Sequence, residues 1–124
     1  MREDSKNSTL IPESFNIAGG KTIEVKLLDT IESCSQKGHY LFGDFNDASS
    51  IIRIAKNVPV DGEDFIQTDE DMKRTFWHEL FHVFQFYGGF EMDESLAQVF
   101  SNFMYEFQNT QKYDLFHCSG REEG

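Results

Sequence analysis

The sequence predicts an α+β fold in which a small, mostly antiparallel sheet of three strands packs against two long helices. Short segments with the alternating apolar and polar residues typical of strands occupy the first half of the chain. Two longer segments with apolar residues three or four positions apart occupy the second half. Because strands followed by helices are typical of α+β domains, we expect the helices to cover one face of the sheet.

The three predicted strands occupy residues 22–28, 39–45 and 50–55. The second and third are separated by Asn46-Asp47, a pair that favours a turn. A sheet of this kind has an edge at which an extended peptide could add as a further strand. An ordinary covering sheet is equally compatible with the sequence.

The first predicted helix runs from about residue 69 to residue 87. Thr68, followed three residues later by Asp71, matches a capping box, and the acidic first turn suits the positive end of the helix dipole. Gly88-Gly89 is expected to end the helix, because glycine adopts the left-handed conformation required there. Four apolar residues mark the face that we expect to be buried: Phe76, Leu80, Val83 and Tyr87.

The second predicted helix covers residues 94–107 and begins after a short link. One of its faces starts with Glu94 and continues with the small residues Ala97 and Ser101, which would let it approach the first helix closely. The expected core stripe of this helix consists of five apolar residues: Leu96, Val99, Phe100, Phe103 and Phe107.

The first helix carries the pattern His-Glu-x-x-His, which begins at His78 and ends at His82. Side chains four positions apart lie on one face of a helix, so both imidazoles can bind one tetrahedral zinc ion. Glu79 then lies beside the open position of the metal. The alternative interpretation is a buried helix with two incidental histidines. A charged glutamate is seldom buried without a partner, however, and a metal supplies one.

A catalytic zinc usually has three protein ligands and a water, so the third ligand is expected outside this helix. Glu94 is favoured, because the small residues that follow it allow close approach of the two helices. Glu91 and Asp93 are rivals for the same role. Glu91 also fits a solvated loop position, and Asp93 is a natural N-cap for the second helix.

The stretch Thr-Phe-Trp-His-Glu-Leu-Phe-His up to His82, with Glu-Ser-Leu-Ala-Gln-Val-Phe from Glu94, resembles the small gluzincin metallopeptidases of phages, prophages and other mobile elements. It is more distantly similar to the ImmA/IrrE-type peptidases. The resemblance covers roughly residues 22–108. It implies a minimal zincin-like domain whose active-site helix carries the motif, with one Zn²⁺ ion held by His78, His82 and Glu94 and with Glu79 as general base. Gln98 departs from the family, since larger relatives often place an acid there to orient a histidine.

These features predict a zinc-dependent metallopeptidase, in which Glu79 takes the proton of a metal-activated water as it attacks a peptide bond. The substrate would be a peptide or protein, with a host or phage regulator as one possibility. Two other function classes remain open. One is a catalytically silent zinc-binding interaction protein of the same fold, against which the intact Glu79 argues. The other is an acidic inhibitor or nucleic-acid mimic. The candidates for stabilising the oxyanion are Tyr87, Tyr105, Tyr113, His39 and His117.

Composition sets further bounds. The 124 residues fit one domain at 13–118, with flexible tails at 1–12 and 119–124. A net charge of −11 argues against binding a phosphate backbone, so no nucleic-acid partner is expected.

The sequence has no membrane-spanning run and no signal peptide, which predicts a cytoplasmic protein, in the bacterial host if it is phage-encoded. Cys34 and Cys118 are expected to be free thiols. The sequence carries no signal for an oligomeric state.

Overall fold

The structure of the protein, a computed structural model, describes residues 11–112 and confirms the α+β class. Four strands precede two helices in this part of the chain. The strands are β1 (Ser14–Asn16), β2 (Thr22–Leu28), β3 (Gly43–Asn46) and β4 (Ile51–Ala55). The helices are α1 (Asp69–Gly88) and α2 (Glu94–Thr110).

The four strands form one mixed sheet in the order β1-β2-β4-β3, not the three mostly antiparallel strands that were expected. β1 pairs antiparallel with β2, β4 pairs parallel with β2, and β3 pairs antiparallel with β4. β1 is only three residues long, too short to show an alternating pattern. The nearly continuous apolar sequence of β4 suits a central strand, and Ile52 and Ile54 are fully buried there.

The hairpin between β3 and β4 follows the predicted turn but has different strand bounds. The Asn46 side chain accepts hydrogen bonds from the backbone N–H groups of Ala48 and Ser49, which closes the turn. Ser50 has a left-handed backbone (φ 61°), so β4 starts at the next residue. β3 starts only at Gly43, because the preceding segment turns away to form an isolated bridge between Tyr40 and Glu32.

The main core lies between the sheet and α1. Ile23, Ile52 and Ile54 of the sheet pack against Phe76 and Val83 of the helix. Two of the four residues expected on the buried face of α1 are therefore buried. Leu80 packs at the margin of the core, whereas Tyr87 is exposed near the end of the helix.

Both predicted ends of α1 are confirmed. The Thr68 hydroxyl accepts a hydrogen bond from the Asp71 backbone N–H, and the Asp71 carboxylate accepts one from the Thr68 N–H. These reciprocal bonds satisfy donors that the first turn would otherwise leave free. At the other end, Gly89 takes the left-handed conformation (φ 78°) and its N–H bonds to carbonyls of the last turn.

α2 packs against α1 and against none of the other described helices or strands. Its buried residues are Ala97 and Ser101, as the small face predicted, and the Ser101 hydroxyl donates to the Arg74 carbonyl at 2.9 Å. The expectation of a core stripe on α2 was wrong. Because α1 alone covers the sheet, the stripe has no described neighbour on its outer side, and four of its five members are exposed: Leu96, Val99, Phe103 and Phe107.

Several predictions concern segments outside the described residues. They include Tyr113, His117, Cys118 and nearly all of both predicted tails. Cys34 is described, and it is free and exposed. Neither helix in residues 11–112 has the length and apolar character needed to cross a membrane.

Candidate metal centre

The structure brings the three predicted metal ligands together. His78 and His82 lie on successive turns of α1, and their ring centroids are 4.9 Å apart. Glu94 Oε1 lies 2.9 Å from His78 Nε2 and 3.2 Å from His82 Nε2. One donor atom from each of the three residues lies within 4.8 Å of the others. Two imidazole nitrogens and a carboxylate oxygen are a donor set that suits catalytic zinc, so the site fits this ion.

The position of Glu94 follows from how α2 starts. The Asp93 carboxylate accepts a hydrogen bond from the Leu96 N–H at 2.9 Å and caps the helix. Ala97, three residues after Glu94, is buried where α2 packs against α1, so the first turn of α2 lies beside the histidines. Asp93 is thus used as a cap, and Glu91 contributes its backbone carbonyl to a hydrogen bond from Gln85. Within the described residues, neither rival belongs to the group that could hold a metal.

Two glutamines contact the Nδ1 atoms of the two histidine rings. His82 Nδ1 lies 2.9 Å from Gln85 Oε1, and His78 Nδ1 lies 3.2 Å from Gln98 Oε1. The Gln85 amide nitrogen donates to the Glu91 carbonyl, so its oxygen faces His82 and accepts a hydrogen bond from Nδ1–H. With the proton of a neutral ring on Nδ1, Nε2 is the nitrogen that could bind a metal. The resemblance drew attention to the position of Gln98, whereas nothing in the sequence indicated a role for Gln85.

Glu79 is buried on the face of α1 that meets the sheet. Desolvation by burial raises the pKa of its carboxyl group to about 8, and the negative charges of Glu94 and Asp44 act in the same direction. A Cβ placed on Gly43 of β3 would lie 3.6 Å from Glu79 Cγ. The catalytic candidate therefore lies at the contact between α1 and the edge strand.

Glu94 has the opposite electrostatic environment. Desolvation favours its neutral form, but the hydrogen bonds to His78 and His82 outweigh this effect, and the pKa of Glu94 lies below its usual value. Its side chain is 78 % exposed. An ionised carboxylate that faces solvent beside two imidazoles is well suited to receive a cation from solution.

The two histidines and the glutamate of the motif, together with Glu94, lie in an open cleft with a volume of about 730 Å³. One wall is β3 with the segment before it, and the other is formed by α1 and the start of α2. Four aromatic residues line the cleft on the side of β3: Tyr40, Phe42, Phe45 and Phe65. Phe42 and Phe65 are in edge-to-face contact, with ring centroids 5.9 Å apart.

The buried Gln67 fixes the wall of the cleft against α1. Its amide nitrogen donates to the carbonyls of Phe42 and Ala55, and its oxygen accepts from the Thr75 hydroxyl at 3.0 Å. The residue before β3, the last residue of β4 and the second turn of α1 are thereby joined through one side chain. The sequence contained no sign of this network, because the three partners are distant along the chain.

Of the residues proposed from sequence to stabilise an oxyanion, the three that the structure describes do not line the cleft. Tyr87 is hydrogen-bonded to Ser50, and the Tyr105 ring lies under the Arg74 guanidinium at 3.9 Å. His39 is exposed outside it, and Tyr113 and His117 lie outside the described residues. The tyrosine that does line the cleft is Tyr40, which lies next to His39 and was missed because its place depends on the loop before β3.

Comparisons of the chain with protein-family models, with curated proteins and with solved structures find no match.

Proposed function

We propose that this protein is a zinc-dependent metallopeptidase built on a minimal zincin-like domain, similar in kind to the small gluzincins of phages and prophages. In this proposal it acts on a peptide or protein substrate in the cytoplasm of a bacterial cell. The convergence of His78, His82 and Glu94 beside a buried Glu79, inside an open cleft, carries the proposal.

The ligand residues and the base have separate tasks. His78, His82 and Glu94 would hold one Zn²⁺ ion, which supplies a Lewis acid for a carbonyl group and lowers the pKa of water to about 7. Burial gives Glu79 a high affinity for a proton, so its carboxylate is suited to take one from the attacking water. The same group can return the proton to the leaving nitrogen when the peptide bond breaks.

The edge strand supports a peptide as the substrate. β3 pairs with β4 on one side, and in the part of the chain that the structure describes no strand pairs with its other side. The strand also lines the cleft that contains Glu79. An extended peptide that adds to this edge would form backbone hydrogen bonds independent of its side chains, and its scissile bond would pass the metal ligands.

The experiment that tests the proposal compares the protein with its Glu79→Gln variant. We expect both to bind about one zinc ion per chain, since this substitution leaves the three ligands in place. Cleavage of a peptide library should fall by at least about 10²-fold in the variant, which is the usual contribution of a general base. A Glu91→Gln variant, altered at an exposed residue of the link, is the control and should retain activity.

The outcomes separate the three function classes. Zinc binding without cleavage of any peptide would favour the catalytically silent interaction protein. Failure to bind stoichiometric zinc would exclude both zinc-dependent functions and leave the acidic inhibitor or nucleic-acid mimic, which the net charge alone supports. Equal cleavage by the protein and by Glu79→Gln would show that the base is another group.

A further inference from the structure

The outer surface of α2 carries an apolar stripe that is distinct from the metal centre. We call the four residues Leu96, Val99, Phe103 and Phe107 the α2 stripe; they are 50–65 % exposed. Glu94 and Ser101, in contrast, lie on the side of α2 that lines the cleft. An occupant of the stripe would therefore not block the site.

The stripe continues across α1 through a series of ring contacts. The half-buried Phe100 of α2 lies 4.9 Å from Phe81 of α1, measured between ring centroids, and Phe81 lies 5.6 Å from Phe84. Phe84 stacks on Phe90 at 5.4 Å, and both are exposed. The stripe and these rings form one apolar surface on the helical pair.

The apolar area of this surface suits the centre of a dimer interface. At roughly 200 Å² for a phenylalanine side chain, the exposed parts of the α2 stripe, Phe84 and Phe90 amount to on the order of 600 Å² of apolar area. This lies at the upper end of the range of about 300–600 Å² for the largest apolar patch on a typical monomer, and such patches are often functional. A standard protein interface covers about 800 Å² on each partner, so polar rim residues would supply the remainder.

We propose that this surface binds a second copy of the same chain, with the two α2 helices packed antiparallel. Spacings of three and four residues along the stripe suit helix–helix packing. With the two-fold axis between Phe100 and Phe103, Leu96 of one copy lies opposite Phe107 of the second copy. Phe100 then lies opposite Phe103, so every large apolar residue at the centre meets another.

The charges of α2 favour the antiparallel arrangement over the parallel one. The charged residues of the helix are Glu94, which lies on the cleft side away from the stripe, and Glu106. In a parallel pair Glu106 would lie at the level of Glu106 of the second copy, which is repulsive. In the antiparallel pair Glu106 lies at the level of the uncharged Ala97 of the second copy, and the helix dipoles also oppose each other favourably.

Salt dependence distinguishes a second copy from a basic partner. Each copy carries a net charge of −11, so two copies repel at low ionic strength. Salt screens this repulsion and leaves apolar contacts intact, and the dimer should therefore tighten as the salt concentration rises. A basic protein attracted to the acidic surface would bind more weakly under the same change.

The test is sedimentation of the full chain from 1 to 100 µM, which should show a species of twice the 14.4 kDa monomer mass that increases with concentration and salt. Phe103→Glu should weaken dimerisation by at least about 100-fold. Val60→Glu is the matched control, because Val60 is 55 % exposed against 65 % for Phe103 and lies between β4 and α1, outside the α2 stripe, and it should dimerise normally. Circular dichroism of Phe103→Glu should match that of the parent protein, which shows that it folds.

Three results would overturn the proposal. The full chain could remain monomeric at 100 µM in high salt. Phe103→Glu and Val60→Glu could dimerise equally, which would place the interface elsewhere. A chain shortened to residue 112 could dimerise when the full chain does not, which would mean that the chain's own C-terminal segment covers the stripe. None of these results depends on catalysis, so they leave the proposed function untouched.

A spin label at Thr110→Cys, with Cys34 and Cys118 changed to serine, tests the orientation. At a rise of about 1.5 Å per residue, the two labels should be separated by about 25 Å along the helix axis in the antiparallel dimer. In a parallel pair they would lie at about the interaxial distance of 8–10 Å, and such a short distance would overturn the antiparallel arrangement.

Discussion

Glu94, the candidate third ligand, differs from the nearby acids Glu91 and Asp93 in what each residue contacts. Glu94 reaches both imidazoles, Asp93 caps the helix that begins one residue later, and Glu91 is held by its backbone. Three acids within four positions thus have three different environments. Substitutions at these positions should have correspondingly different effects.

Changing a residue that only orients a metal ligand typically weakens metal affinity by roughly 10- to 100-fold. We predict that Glu94→Ala weakens zinc affinity by more than this. Gln85→Ala should fall within that range, because it removes the acceptor for His82 Nδ1 but keeps all three ligands. Competition titration with a chelator measures both. Glu91→Ala is the control, and an equal loss there would contradict the assignment of Glu94.

The pKa of Glu79 predicts a pH dependence of stability for the protein in chelator. In the folded protein the pKa of Glu79 is about 8, above the ordinary glutamate value of 4.5, so the native state binds more protons than the unfolded state between these limits. The free energy of unfolding should therefore decrease as the pH rises from about 5 to 8, by on the order of 1.4 kcal/mol for each pH unit. Urea unfolding at pH 5, 6.5 and 8 measures this trend.

Glu79→Gln provides the control for that series, because a neutral amide does not titrate. Between pH 5 and 8 the free energy of unfolding of this variant should decrease less than that of the parent protein, and the difference is the contribution of Glu79. The carboxyl of Glu94 does not interfere, since its pKa is lowered and its titration lies below this window. If the free energy of unfolding changed equally with pH in the two proteins, the raised pKa assigned to the buried Glu79 would be wrong.

Much of the candidate site could be predicted from sequence, because its candidate ligands depend on helical spacing. His78 and His82 lie one turn apart on α1 with Glu79 next to His78, and the small residues after Glu94 indicated a close helix contact. The roles of Gln85 and Tyr40 could not be predicted. Each depends on a loop that places a carbonyl group or a ring nearby, and loop paths leave no periodic pattern.

At the element scale, the close approach of β3 to α1 determines the shape of the cleft. Gly43 permits this approach: a Cβ there would lie 2.6 Å from Thr75 Cγ2 and 2.8 Å from the Arg53 carbonyl oxygen. Both distances are shorter than atoms tolerate without movement. Beside this contact, Asp44 of β3 pairs with Arg53 of β4, and that hydrogen bond raises the pKa of the guanidinium further.

We therefore predict that Gly43→Ala destabilises the protein by about 1–3 kcal/mol, the usual cost of overpacking. Adding Thr75→Ser removes the Cγ2 contact and should recover part of this loss, while the contact with the Arg53 carbonyl remains. Chemical unfolding of the two variants and of Thr75→Ser alone provides the comparison. An unchanged stability of Gly43→Ala would show that β3 can move away from α1 at little cost.

The elements that sequence missed share a physical cause. β1 consists of only three residues. β4 pairs parallel with β2 because residues 29–42 first carry the chain to the edge of the sheet that β3 occupies, a path that no local pattern reveals. The α2 stripe has the periodicity of a buried face but lies exposed in the single chain. Helical periodicity indicates that one face of a helix is apolar, but it does not indicate which surface covers that face.

Metal binding should couple to folding of the whole protein, since the three candidate ligands come from two helices that separate on unfolding. Zinc at about 100 times its Kd should add roughly 2.7 kcal/mol to the free energy of unfolding. Thermal scans with zinc and with chelator measure the difference in Tm. In Glu94→Ala, zinc at the same concentration should raise Tm much less, and an equal rise would place the ion elsewhere.

Among the described helices and strands, α2 packs against α1 alone, which has a consequence for how an ion would enter and leave the candidate site. We expect α2 to open locally about the Gly88-Gly89 link while the sheet and α1 stay folded, because only its contacts with α1 must break. Such a partial opening would withdraw Glu94 and leave His78 and His82 in place on α1. Metal exchange would then follow the local opening of one helix and would not require global unfolding.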